Sequence, residues 1–142
     1  DLQVVVPDGL PVEITDSSGD MSLEGVRVVR ITDSSGDITA RRLLTDVEIN
    51  DSSGDVRVDD AAGAVRVEDS SGDVVIRGAK SVHIPQDSSG DMIIERISGD
   101  VAIDRDSSGD VFVSDVGGNV EFIADGSGLV RVTDVKGTVR LP

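Results

Sequence analysis

Apolar and polar residues alternate along this chain in short bursts, each closed by a turn. Residues 51–68 show the unit: Asp51-Ser-Ser-Gly-Asp-Val-Arg-Val-Asp59, then Asp60-Ala-Ala-Gly-Ala-Val-Arg-Val-Glu68. In each half a turn containing Gly leads into a Val-Arg-Val strand. Val56 and Val58 face one way and Arg57 the other, because successive side chains on a strand point to opposite sides. The inward pairs recur from Met21/Leu23 and Ile38/Ala40 through Val74/Ile76 and Met92/Ile94 to Val130/Val132 and Val139/Leu141.

The turn recurs with them. Asp-Ser-Ser-Gly-Asp starts at Asp16, Asp33, Asp51, Asp69, Asp87 and Asp106, in steps of 17, 18, 18, 18 and 19 residues. A decayed copy follows at Asp125-Gly126-Ser127-Gly128. So tight a period marks units that stack on one another. Two strands and two turns per repeat predict an all-β fold, a two-sided parallel β-solenoid (β-helix) with about 18 residues per coil. Parallel connections favour the right-handed form. A meander of hairpins would reverse direction at every turn and would not line up six identical corners on one side. The chain reads as a single domain over 1–142, with 1–15 a partial opening coil and 16–142 seven coils. Around residues 41–45, Arg41-Arg42-Leu43-Leu44-Thr45 replaces the usual glycine turn, so that corner is expected to bulge.

Composition narrows the interior. Tyr, Trp and Cys are absent and Phe occurs twice, so the core is a thin one of Val, Ile, Leu, Met and Ala without disulfides. No apolar run is long enough to span a membrane. The net charge of -15 disfavours nucleic acid, whose binding depends on neutralising phosphates with Lys and Arg. The chain opens on Asp1 rather than Met, which suggests a processed form whose signal segment has been removed.

Charge concentrates at the motif. One column holds Asp16, Asp33, Asp51, Asp69, Asp87 and Asp106; a second holds Asp20, Asp37, Asp55, Asp73, Asp91 and Asp110. Carboxylates about 5 Å apart repel by roughly 1 kcal/mol in water and by more where partly buried. Ca²⁺ held by carboxylate, hydroxyl and backbone oxygens is one form of compensation. Turn chemistry is the other: the first Asp accepts N–H bonds across its own turn, Gly supplies the left-handed conformation, and Ser hydroxyls reach the neighbouring coil. The ligand pattern of calcium β-rolls is missing, since Val56 stands where the ligand Asp belongs.

The outward residues form two unlike faces. One column reads Glu13, Arg30, Glu48, Arg66, His83, Ala102, Glu121, Arg140, a solvated face of alternating sign in its first coils. The other reads Ser22, Thr39, Arg57, Val75, Ile93, Phe112, Arg131. Val75, Ile93 and Phe112 are thus expected as consecutive apolar neighbours, a candidate contact surface. His83 is the sole histidine, expected on a flat face without a partner set for nucleophilic catalysis. A filled solenoid offers no pocket for one distinctive constellation.

Ser-Gly-Asp-Val followed by alternating apolar residues resembles the bacterial β-strand-repeat family of unknown function, related to proteins of the auto-transporter adhesin-head type. The opening Val6-Pro7-Asp8-Gly9 with Val12-Glu13-Ile14 is similar to that family's first strands. Ser18-Gly19-Asp20 resembles its repeat start, and residues 125–137 its later repeats. The resemblance implies a parallel β-helix outside the cytoplasm and brings no catalytic residues. The expectation is therefore a non-enzymatic structural or adhesive solenoid of the bacterial envelope or extracellular matrix. It would have itself as the first partner, end to end or face to face. A Ca²⁺-responsive binding module is the alternative.

Overall fold

The computed structural model describes residues 11–25 and 27–142, with the side chains of residues 28 and 29 left aside. The expected opening strand and its Pro7-Asp8-Gly9 turn lie outside the described residues.

The chain alternates between two sheets at every corner. The strands in order are β1 (Pro11–Asp16), β2 (Met21–Glu24), β3 (Arg27–Asp33), β4 (Ile38–Leu43), β5 (Val47–Asp51), β6 (Val56–Ala61), β7 (Ala64–Asp69) and β8 (Val74–Ala79). They continue with β9 (Ser81–Asp87), β10 (Met92–Ile97), β11 (Val101–Asp106), β12 (Val111–Val116), β13 (Val120–Asp125), β14 (Val130–Val135) and β15 (Val139–Arg140). Odd-numbered strands form an eight-stranded sheet and even-numbered strands a seven-stranded one, each ordered as the chain is. Every pairing is parallel. This is the two-sided β-solenoid of about 18 residues per coil.

Between the sheets lies one continuous apolar core. Val56, Val58, Val74, Ile76, Met92 and Ile94 are each at most 1% exposed. The regular alternation extends that column from Met21 to Phe122, whereas Val139 and Leu141 on the last coil are exposed.

The two corners of each coil turn by different means. At the motif corner the backbone of Gly19, Gly36, Gly54, Gly72, Gly90, Gly109 and Gly128 takes positive φ, from 95° to 136°. A Cβ on Gly72 would collide with the Gly54 carbonyl oxygen, and one on Gly90 with that of Gly72. Glycine is required twice over, by φ and by the approach of the next coil.

At the second corner Arg42, Asp60, Arg96, Asp115 and Asp134 adopt φ of 51–59°, with Gly78 at 83°. One left-handed residue shifts the alternation by one, a bulge that points the following residue inward. Leu43, Ala61, Ala79, Ile97 and Val116 thereby join the core, each 1–8% exposed. The expected bulge at Arg41–Thr45 is present, with Arg42 in the left-handed region. It recurs at Asp60, Gly78, Arg96, Asp115 and Asp134, and Leu43 fills the place that Ala61 takes one coil later.

Candidate functional site

The motif corner is where the polar residues of the chain are organised. Its first Asp ends an odd-numbered strand, and strand geometry sends it inward. In β5, Val47, Ile49 and Asp51 share the buried face; in β7 it is Val65, Val67 and Asp69. The β9 strand carries one extra residue, and a register shift against β7 keeps Asp87 facing Asp69. The result is an unbroken column in which Asp16, Asp33, Asp51, Asp69, Asp87, Asp106 and Asp125 are direct cross-strand partners. Asp33, Asp51, Asp69, Asp87 and Asp106 are only 0–5% exposed.

One oxygen of most of these carboxylates is satisfied locally. The backbone N–H of Ser35, Ser53, Ser71 and Ser108 donates to Oδ1 of Asp33, Asp51, Asp69 and Asp106 at 3.1–3.2 Å. Oδ2 of those four has no partner, and neither oxygen of Asp87 has one. The Ser88 and Ser89 amides approach Asp87 outside hydrogen-bond geometry. Burial is the first cause pushing these carboxyls above the ordinary carboxylate range, and charge from neighbouring Asp residues adds to it. Asp51 is raised to about 6, Asp69 and Asp87 to about 7, and Asp33 and Asp106 in the same direction.

The second Asp of the motif faces the other way. Its Oδ1 accepts the backbone N–H of the equivalent Asp one coil later: Asp37 to Asp20, Asp55 to Asp37, Asp73 to Asp55, Asp91 to Asp73 and Asp110 to Asp91, at 2.8–3.1 Å. Leu129 closes the series on Asp110 at 2.9 Å. The same bond appears at the other corner, where Asp46 accepts from Ala64, Asp100 from Asn119 and Asn119 from Thr138. Between the two Asp columns runs a serine line. The hydroxyl of the second Ser donates to the carbonyl of the first Ser one coil earlier, as in Ser53 to Ser34 and Ser71 to Ser52, at 3.1 and 3.2 Å. Each position of the pentapeptide thus has a separate task in stacking.

The two Asp columns read from the sequence lie on opposite sides of the chain, the first inside and the second outside. Among the described residues no three acidic or histidine side chains converge as a metal-ligating group. Inward burial of the first column was missed, although extending the Val47/Ile49 alternation by two residues reaches Asp51.

The flat faces follow the expected registers. Val75, Ile93 and Phe112 are consecutive partners on β8, β10 and β12, half-buried, with Arg57 and Arg131 at the ends of the stripe. On the other sheet Glu13, Arg30, Glu48 and Arg66 line up as read, and Arg66 pairs with Glu48 at 3.5 Å. His83 is half-buried there and its Nε2 lies 2.9 Å from Oδ2 of Asp104. That partner was not anticipated: it sits one coil on, diagonally across β11. The pair stands on an open sheet face.

Parallel coils with a continuous core, closed by hydrogen-bonded side-chain ladders, define a structural-repeat protein of the β-solenoid class. Residues 8–83 match the Toastrack DUF4097 family. That span is just over half of the 142 residues, and the chain belongs to this β-strand-repeat family of unknown function. No curated protein matches the chain, and no solved structure does.

Proposed function

We propose that this solenoid is a non-enzymatic structural and adhesive module, working outside the cytoplasm in a bacterial envelope or matrix, akin to adhesin heads of the auto-transporter type. The observation that carries the reading is the uninterrupted core from Met21 to Phe122, which makes the whole length a stiff spacer with two flat faces. Contacts are then made by surfaces rather than by a cleft, and two routes to self-association are open. One is the Val75–Ile93–Phe112 stripe. The other is end-to-end stacking, in which a second copy continues both in-register ladders, with Leu129 exposed beside the Asp110 carboxylate.

Sedimentation velocity and negative-stain microscopy across a concentration series test this. Concentration-dependent rods that are lost in Leu129→Asp support end-to-end stacking. Side-by-side dimers lost in Phe112→Asp support the face. A protein that stays monomeric at hundreds of micromolar, and adheres to neither cells nor matrix-coated surfaces, sinks the proposal.

A further inference from the structure

The inward Asp column is unusual because its carboxylates are buried in register with nothing of opposite charge beside them. Neighbouring parallel strands lie about 4.8 Å apart, so each carboxyl meets the same group on the coils above and below. Buried polar atoms without partners are rare in stable folds, and here they recur on five consecutive coils.

The surroundings of the column decide what can satisfy them. Across the core stand the first residues of the even-numbered strands, Ile38, Val56, Val74, Met92 and Val111, all buried and apolar. On the turn side the charged neighbours are Asp20, Asp37, Asp73 and Asp91, all acidic. Asp16 and Asp125 continue the column at its ends. On the odd-numbered strands themselves Glu68 and Arg105 precede column members, with Arg105 exposed. No side-chain cation among the described residues forms an ion pair with the column, and a proton bound by one carboxyl is a donor that the column itself can offer to the next. Asp33, Asp51 and Asp69 line a shallow groove of about 290 Å³ together with Asn50, Glu68 and Gln86.

We propose that Asp33, Asp51, Asp69, Asp87 and Asp106 form one proton-sharing ladder, in which the carboxylic acid of one coil donates its O–H to the carboxylate of the next. Two like carboxyls held this close ionise one after the other, so near neutrality one proton serves each neighbouring pair. Every proton taken up supplies a donor for an orphaned Oδ2 and removes a repulsion. The rod therefore tightens as the medium turns acidic. The sign follows from linkage: these carboxyls bind protons more readily folded than unfolded. Their stabilisation is complete below about pH 4, and it is lost as pH rises through about 6 to 7.

The test pairs two measurements on the full chain. Carbon-detected NMR of the Asp carboxyls, from pH 3 to 9, is expected to show Asp51, Asp69 and Asp87 titrating close to neutrality over a broadened range. Midpoints near pH 4 for all three overturn the ladder. Thermal melts should rise by roughly 5–10 °C between pH 8 and pH 5, and Asp69→Asn with Asp87→Asn should remove at least half of that rise. The control pair Asp55→Asn and Asp73→Asn deletes the same charge from the outer column and should keep it. A melt that is flat with pH, or a slope equally blunted by both pairs, overturns the proposal. So does a melt at pH 8 that depends on Ca²⁺ and chelator, since a cation would then occupy the column. Should the inner pair fail to fold, the wild-type carboxyl titration still decides.

Discussion

Asp69 and Asp73 belong to one five-residue motif, yet they live in different media. Asp69 ends a strand on the core side, 3% exposed, with one oxygen orphaned. Asp73 follows the glycine turn, faces solvent, and accepts the Asp91 amide at 2.8 Å. Repetition turns that difference into two parallel columns with opposite consequences. The outer column uses charge where water screens it and converts it into a hydrogen bond per coil, worth about 1 kcal/mol or somewhat more for a charged acceptor. The inner column holds charge where screening is weakest. Residue type alone says nothing of this; the side of Gly72 on which the Asp falls says all of it.

The glycine that separates the columns is also what both depend on, so replacing it should have the largest effect. Gly72→Ala places a Cβ against the Gly54 carbonyl at a φ of 112°. The next coil must lift away, breaking the serine line and both Asp registers locally. A loss of about 3 kcal/mol or more is expected in urea unfolding, with a split transition if the two halves of the rod uncouple. A loss below about 1 kcal/mol would show that the stack is looser than the carbonyl contact implies.

Next in size is the contrast between columns at fixed pH. At pH 8, Asp69→Asn replaces a buried, partly unpaired carboxylate by an amide that can donate to its neighbour, and should stabilise the rod by about 1–3 kcal/mol. At pH 4 the advantage should shrink, because protonation already supplies a donor. Asp73→Ala should act in the opposite direction at pH 8, costing about 1 kcal/mol for the amide acceptor it removes. Urea melts of the two variants at both pH values check this. Equal signs for the two at pH 8 would mean that the columns are not energetically distinct.

Much of this was legible in the sequence. The period, the strand pairs and the two faces follow from alternation, since Val56/Val58 and their counterparts repeat without ambiguity. Two things were hidden. The left-handed residues at the second corner are Arg or Asp more often than Gly, so no glycine signal marked the bulge that carries Leu43, Ala61 and Ile97 into the core. The inner column was hidden by expectation: an Asp beside Ser and Gly reads as turn, although Asp51 lies two residues beyond Ile49 on the same face. The His83–Asp104 contact joins separate coils diagonally, and no single-strand pattern encodes it.

The smallest effect tests how far the two corners differ. The left-handed position of the motif corner forbids a side chain, whereas that of the second corner accepts one. Asp60 sits at φ 58° and its counterpart one coil later is Gly78 at 83°, so glycine is already accepted in this column. A non-glycine residue in the left-handed region costs about 1 kcal/mol, and glycine returns part of that through greater freedom in the unfolded chain. Asp60→Gly should therefore stabilise by a few tenths of a kcal/mol up to about 0.5. Arg42→Gly relieves the same strain but removes the Arg42–Glu24 ion pair, an exposed contact of small worth, and should come out closer to zero. Denaturant midpoints of the two variants, measured side by side, give the comparison. If Asp60→Gly destabilises instead, the Asp60 side chain is holding the corner, and the second corner is as specific as the first.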